Sequence, residues 1–139
     1  MSSGVVDAIR AAGGEVYAVT SEPQALATLA QEEWGLSFEC VGDPHQEIAG
    51  AARHQGMLDL RTSDVGEFIT RDTAWAVSHP KGFYQPGVLA LNSERLLYRW
   101  QSIPNRENMG GAGGRPSEDY VWRKIQAAFD DPLGNDAAL

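Results

Sequence analysis

Cys40 is the first candidate for a chemically reactive residue. Cys40 is the one cysteine among 139 residues, which excludes an internal disulfide and a Cys-x-x-Cys redox or zinc pair. It lies in a predicted strand beside Glu39, whose carboxylate opposes formation of the thiolate that peroxide reduction needs. We interpret Cys40 as a small buried hydrophobic residue, with thiol redox chemistry as the weaker alternative.

The histidines do not have the spacing of paired metal ligands. His45 and His54 are nine residues apart, which on one helix is neither the i,i+3 nor the i,i+4 placement. His79 precedes Pro80 in a stretch without periodicity. We interpret each histidine as structural or solvated, and we predict no metal site and no cofactor. The sequence also contains neither a nucleophile elbow nor a phosphate-binding P-loop.

A glycine-rich segment at 110–114, followed by Arg115, has the composition of a phosphate-binding loop. It lacks the Gly-Lys-Ser/Thr ending of a P-loop and does not follow a suitable strand. We interpret it as a loop that permits close approach of the backbone. Binding of an anion or carboxylate by Arg106 or Arg115 is the alternative.

Aromatic residues are concentrated in the C-terminal half. They include Trp75, Phe83, Tyr84, Tyr98, Trp100 and Trp122. Alternation along a strand predicts that Tyr98 and Trp100 share one face, opposite Arg99. Core packing is the first interpretation, and an aromatic pocket or an oligomer interface is the alternative.

Composition narrows the class of protein. Hydrophobic residues make up 42% and charged residues 22%, which is typical of a soluble globular domain. The net charge of −8 disfavours nucleic acid as a partner. No apolar run approaches the roughly 18 residues of a membrane helix, and no secretory signal is visible. We therefore predict a cytoplasmic protein without a membrane or nucleic-acid partner.

Periodicity predicts helices and strands that alternate along the chain. The predicted order is a helix at 3–12, a buried strand at 15–20, a helix ending near Trp34, a strand at 36–41, a helix after Asp43, a long irregular stretch at 57–85, a hairpin at 87–100 and a helix after Ser117. Strands that alternate with helices indicate an α/β or α+β sandwich, with the early strands parallel.

Start and stop signals support these elements. Ser21 and Gln24 match a capping box, and Asp43 and Ser117 are further capping residues. Glycines are expected to end three helices, at Gly13-Gly14, Gly35 and Gly56. In the second helix the predicted apolar face is formed by Leu26, Leu29, Ala30 and Trp34.

Six local segments, together with this element order, carry a resemblance to a known family. They lie at 16–22, 34–38, 42–44, 78–87, 98–100 and 108–116. They resemble the peroxiredoxin-like branch of the alkyl hydroperoxide reductase and thiol-specific antioxidant (AhpC/TSA) family, within the thioredoxin-fold superfamily. The resemblance implies a thioredoxin-like α/β sandwich over 1–131, truncated at its N-terminus, with a mixed sheet, a C-terminal hairpin and a final helix. A frayed tail is expected at 132–139.

The resemblance also implies where a binding cleft would lie. In this superfamily the proline that opens the hairpin is commonly cis and faces the redox centre, and Pro86 matches its position. The loop before it approaches the reaction centre. The candidate cleft residues are Trp75, His79, Tyr84, Gln85, Pro86, Trp100, Arg106 and Arg115.

The sequence differs from this family at its N-terminal side, and our functional hypothesis depends on that difference. A redox-active member has a strand and a catalytic cysteine loop before the segment that corresponds to Glu15, whereas Met1 here falls near the start of the intervening helix. No residue matches the catalytic cysteine. The missing strand would be central, so the other strands are expected to pair differently or to borrow a strand.

We therefore predict a binding protein without a competent thiol redox centre. It would be a homodimer or would have a sheet-completing partner, with a small-molecule ligand as a further option. One alternative is an enzyme with non-redox chemistry on a small organic molecule, its pocket lined by Trp75, Tyr84 and Trp100, with His79 or Arg106 as polar groups. Another is an upstream start that supplies the missing strand and cysteine of an active thiol peroxidase or disulfide oxidoreductase.

Overall fold

The computed structural model describes residues 3–59, 62–63, 83–84, 86–102 and 113–130. Contacts divide the chain into two compact units, one of residues 1–51 with 61–84 and one of residues 52–60 with 85–139. The predicted extent of the domain, 1–131, stays a prediction. The tail at 132–139 lies outside the described residues.

The described residues form four helices and six strands. In chain order these are α1 (Ser3–Ala11), β1 (Tyr17–Thr20), α2 (Gln24–Glu33), β2 (Glu39–Gly42), α3 (Glu47–His54), β3 (Thr62–Ser63), β4 (Phe83–Tyr84), β5 (Gly87–Leu91), β6 (Leu96–Gln101) and α4 (Glu118–Asp130). Their mixture of helices and strands confirms the α/β class. None of the described helices is both long enough and apolar enough to cross a membrane.

The described strands pair in three two-stranded sheets, β1 with β2, β3 with β4, and β5 with β6. The first pair is parallel, as the alternating pattern predicted, and the other two are antiparallel. A single mixed sheet of thioredoxin type stays a prediction.

The core of the first unit lies on one face of the β1–β2 sheet. Val6 of α1 and Ala27 of α2 pack with Cys40 of β2, and Ala18 of β1 joins them. Ala18 and Cys40 are register partners, so both helices contribute to the same face of the sheet.

On the opposite face of this sheet the β1 side chains are exposed, which corrects the prediction of a buried strand. Tyr17 is 58% exposed and Val19 is 38% exposed. Their β-branched and aromatic character indicated a strand correctly. It could not indicate that only one face of the strand would be covered.

The second helix packs through a different face from the one predicted. Ala27 is 1% exposed, whereas Trp34 is 73% exposed and Leu26 and Leu29 are also exposed. The small Ala27 side chain is therefore the buried contact of α2 with the core, and the larger apolar side chains lie on the exposed part of the helix.

The helix signals were correct in most cases. Gly13, Gly35 and Gly56 all have positive φ angles at helix ends, as predicted. The capping box at Ser21 and Gln24 is wrong, because Pro23 occupies the cap position without a side-chain hydrogen bond. The Gln24 amide binds β2 instead.

Asp43 caps α3 as predicted. Its carboxylate accepts the backbone N–H groups of Glu47, Ile48 and Ala49 at 2.8, 3.0 and 3.2 Å. The helix begins at Glu47 because Gln46, with φ of 57°, interrupts the helical backbone before it.

The second unit is built on the predicted hairpin. The strands β5 and β6 are joined by a turn in which the Asn92 side chain accepts the N–H groups of Glu94 and Arg95. Helix α4 begins at the predicted cap, where Ser117 Oγ accepts the Tyr120 N–H at 3.2 Å. Among the described residues of this unit, the buried hydrophobic ones are Leu58, Leu97, Tyr98, Val121 and Ala128.

Candidate functional site

Cys40 lies in a closed apolar environment. It is 6% exposed and packs against Val6, Ala27 and Phe38. Burial raises the pKa of the Cys40 thiol. At neutral pH the residue is therefore a protonated thiol, which is a poor nucleophile.

We expect native Cys40 to react with 5,5′-dithiobis(2-nitrobenzoate) at least about tenfold more slowly than the same chain in guanidinium chloride, because the thiol is buried and protonated. Glutathione in each solvent controls for the effect of the denaturant on the reagent. Equal rates for the native and unfolded chains would show that the thiol is accessible.

The same burial predicts a pH effect on stability. Above about pH 8.5 the unfolded thiol loses its proton before the folded one does, so the free energy of unfolding falls as the pH rises. The variant Cys40→Ala should show a smaller fall over this range in urea titrations.

The outer edge of β2 is closed by side chains from α2. Gln31 Oε1 accepts the Cys40 N–H at 3.0 Å. Gln24 Nε2 donates to the Cys40 carbonyl at 2.9 Å, and Gln24 Oε1 accepts the Gly42 N–H at 2.8 Å. These amides occupy the donors and acceptors that a neighbouring strand would use.

The outer edge of β1 has the opposite character. The Asp43 N–H donates to the Thr20 carbonyl at 2.7 Å, so Thr20 directs its backbone groups toward β2. Because neighbouring residues of a strand direct these groups to opposite sides, those of Tyr17 and Val19 point to the other edge. In the described part of the chain no strand pairs there.

The second unit contains an open pocket of about 570 Å³. Its described lining residues are Tyr98, Arg99, Trp100, Gly114, Pro116, Ser117, Tyr120 and Arg123. Aromatic rings and guanidinium groups predominate, and this lining contains no acidic residue.

Two arginines give the pocket its charge. Arg99 Nη1 donates to the carbonyls of Gly56 and Met57 at 3.1 and 3.3 Å. Its Nε atom is buried and has no hydrogen-bond partner. Arg123 is exposed on α4. Positive charge is thus concentrated at one place on a chain of net charge −8.

Of the predicted cleft residues that the structure describes, some lie at the pocket and others do not. Trp100 lines the pocket, and Arg115 is exposed between the lining residues Gly114 and Pro116. Pro86 precedes β5 and accepts the Ser102 N–H at 3.0 Å, and Tyr84 lies in β4. Four candidates lie outside the described residues: Trp75, His79, Gln85 and Arg106.

Sequence reasoning missed two lining residues on α4. Tyr120 and Arg123 are three residues apart and follow Ser117 by the same step, so all three lie on one face of the helix. That spacing was a usable signal for a polar and aromatic helix face.

No family model matches the chain, and neither a curated protein nor a solved structure matches it. The resemblance to peroxiredoxin-like proteins stays a prediction.

Proposed function

We propose that this protein is a peroxiredoxin-like member of the thioredoxin-fold superfamily that has no thiol redox centre and acts by binding, as a homodimer joined at the outer edge of β1. The observation that carries the proposal is the difference between the two edges of the β1–β2 sheet. Glutamine side chains close one edge, and backbone groups of Tyr17 and Val19 face outward at the other.

The state of Cys40 supports a non-redox function. Its thiol is part of the apolar core, and burial favours its protonated form. A peroxidase cysteine needs a thiolate that peroxide can reach.

The composition of β1 supports strand addition. Exposed edge strands in natural proteins usually carry a lysine, a proline or a bulge that blocks pairing with another chain. The four residues of β1 are Tyr, Ala, Val and Thr, and none of them is charged or a proline.

The pattern of β1 is self-complementary, which favours a second copy as the partner. Antiparallel pairing about a two-fold axis at Ala18 places Tyr17 opposite Val19 of the second copy, and the same contact occurs twice. Both side chains are exposed in the single chain. An aromatic residue opposite a β-branched one stabilises a strand pair by roughly 0.2–1 kcal/mol.

The test is the mass in solution by size-exclusion chromatography with light scattering. We expect the wild-type chain to have twice the 15.1 kDa of one chain at micromolar concentrations. The variant Val19→Lys places a charge on the edge and should be monomeric.

Leu29→Lys is the matched control, since Leu29 is also an exposed apolar residue but lies on α2. This variant should remain a dimer, and circular dichroism should show that both variants are folded. A monomeric wild-type chain would overturn the proposal. So would a dimer that persists in Val19→Lys or is lost in Leu29→Lys.

A further inference from the structure

We propose that the pocket at β6 and the first turns of α4 binds a small organic molecule that has a flat ring and a single carboxylate. The inference does not depend on the dimer, since every described lining residue belongs to the second unit.

The size and the aromatic lining of the pocket support a ligand with a flat ring. A volume of about 570 Å³ lies within the range of small-molecule sites, which are mostly apolar with a few placed polar groups. Trp100 and Tyr120 supply aromatic surface, and Pro116 adds a rigid apolar wall. Aromatic rings prefer to pack against other flat ring systems.

The two arginines of the pocket support a ligand with a negative charge. Arg99 is a lining residue whose guanidinium group is anchored by the carbonyls of Gly56 and Met57. Its positive charge attracts a ligand carboxylate in the pocket. Arg123 adds a second cation at the exposed side of the pocket.

The surroundings of the pocket favour a single negative charge. Ser117 lines the pocket and caps α4, so the positive end of the helix dipole adds to the arginines. Glu118 and Asp119 follow directly in the first turn and repel additional negative charge. A monovalent carboxylate therefore suits this environment better than a phosphate dianion.

The experiment is isothermal titration calorimetry of the full chain with three probes: 2-naphthoate, its neutral analogue 2-naphthamide, and inorganic phosphate. We expect 2-naphthoate to bind about tenfold more tightly than the amide, because its charge pairs with the arginines. Phosphate should neither bind nor displace it.

Two variants locate the site. Arg123→Gln should weaken binding of 2-naphthoate by about fivefold and leave binding of the amide unchanged. Arg53→Gln is the matched control, because Arg53 is exposed in the same unit and does not line the pocket. The affinity of the Arg53→Gln variant for 2-naphthoate should equal that of the wild-type chain.

Three outcomes would overturn the inference: equal affinity for the carboxylate and the amide, equal effects of the two arginine variants, or displacement of 2-naphthoate by phosphate. Each of them leaves the mass in solution unchanged, so this failure is distinguishable from failure of the homodimer.

Discussion

Replacement of Gly42 by alanine is expected to lower the free energy of unfolding by about 3 kcal/mol. A Cβ atom at this position would lie 2.5 Å from the Gln24 backbone nitrogen and 2.6 Å from the Glu22 carbonyl oxygen. Both neighbours are backbone atoms, so the start of α2 has to move. That movement also strains the hydrogen bonds of Gln24 to β2.

Urea unfolding followed by circular dichroism measures this effect. Gly50→Ala is the matched control, since a Cβ at Gly50 has no atom within 4 Å and the residue lies inside α3. That variant should be more stable than the wild-type chain by about 0.5–1 kcal/mol, because alanine is the better helix former. A loss of less than about 1 kcal/mol for Gly42→Ala would contradict the close packing of α2 on β2.

The second large effect is expected for Asp43→Ala, at about 2–4 kcal/mol of lost stability. Asp43 is buried, and its carboxylate accepts the first three N–H groups of α3. Alanine leaves these donors without their acceptor. The loss is larger than for an ordinary helix cap because the hydrogen bonds are charge-assisted and partly buried.

Thermal and urea unfolding of two further variants test the cause. Asp43→Asn keeps one carbonyl oxygen and should lose about half as much stability as Asp43→Ala. Asp7→Ala removes an exposed aspartate from α1 and should change stability by less than about 0.5 kcal/mol. Equal losses in the two alanine variants would show that the cap has no special role.

Gly42 and Asp43 also determine which edge of the sheet can accept another strand. Gly42 permits the contact that lets Gln24 and Gln31 occupy the outer edge of β2. The N–H of Asp43 holds Thr20, which sets the direction of the backbone groups of β1. In the proposed homodimer, pairing with the second copy would therefore use β1.

Gln24 shows why some sequence signals were misleading. Its distance from Ser21 fits a capping box, and that pattern is purely local. In the folded chain its amide binds Cys40 and Gly42, which are 16 and 18 residues away. A competing partner that is distant in sequence cannot be recognised from a window of four residues.

The candidate site likewise depends on contacts between residues that are distant in sequence. The aromatic residues of the C-terminal half suggested core packing, with a pocket or an oligomer interface as the alternative; Tyr98 is buried, and Trp100 lines a pocket. Arg99 was expected on the face opposite Trp100, and its guanidinium group is held by the carbonyls of Gly56 and Met57. Those carbonyls are more than forty residues away, so local alternation could not identify them.

Local sequence patterns were enough to predict the hairpin with its Asn92 turn, the caps at Asp43 and Ser117, and the helix ends at glycine. These follow from backbone geometry and from hydrogen bonds within a few residues. The covered faces of β1 and α2, the closed edge of the sheet and the arginines that line one pocket became evident from the folded chain. Burial and edge pairing depend on segments far apart in the chain, whose mutual placement no local pattern encodes.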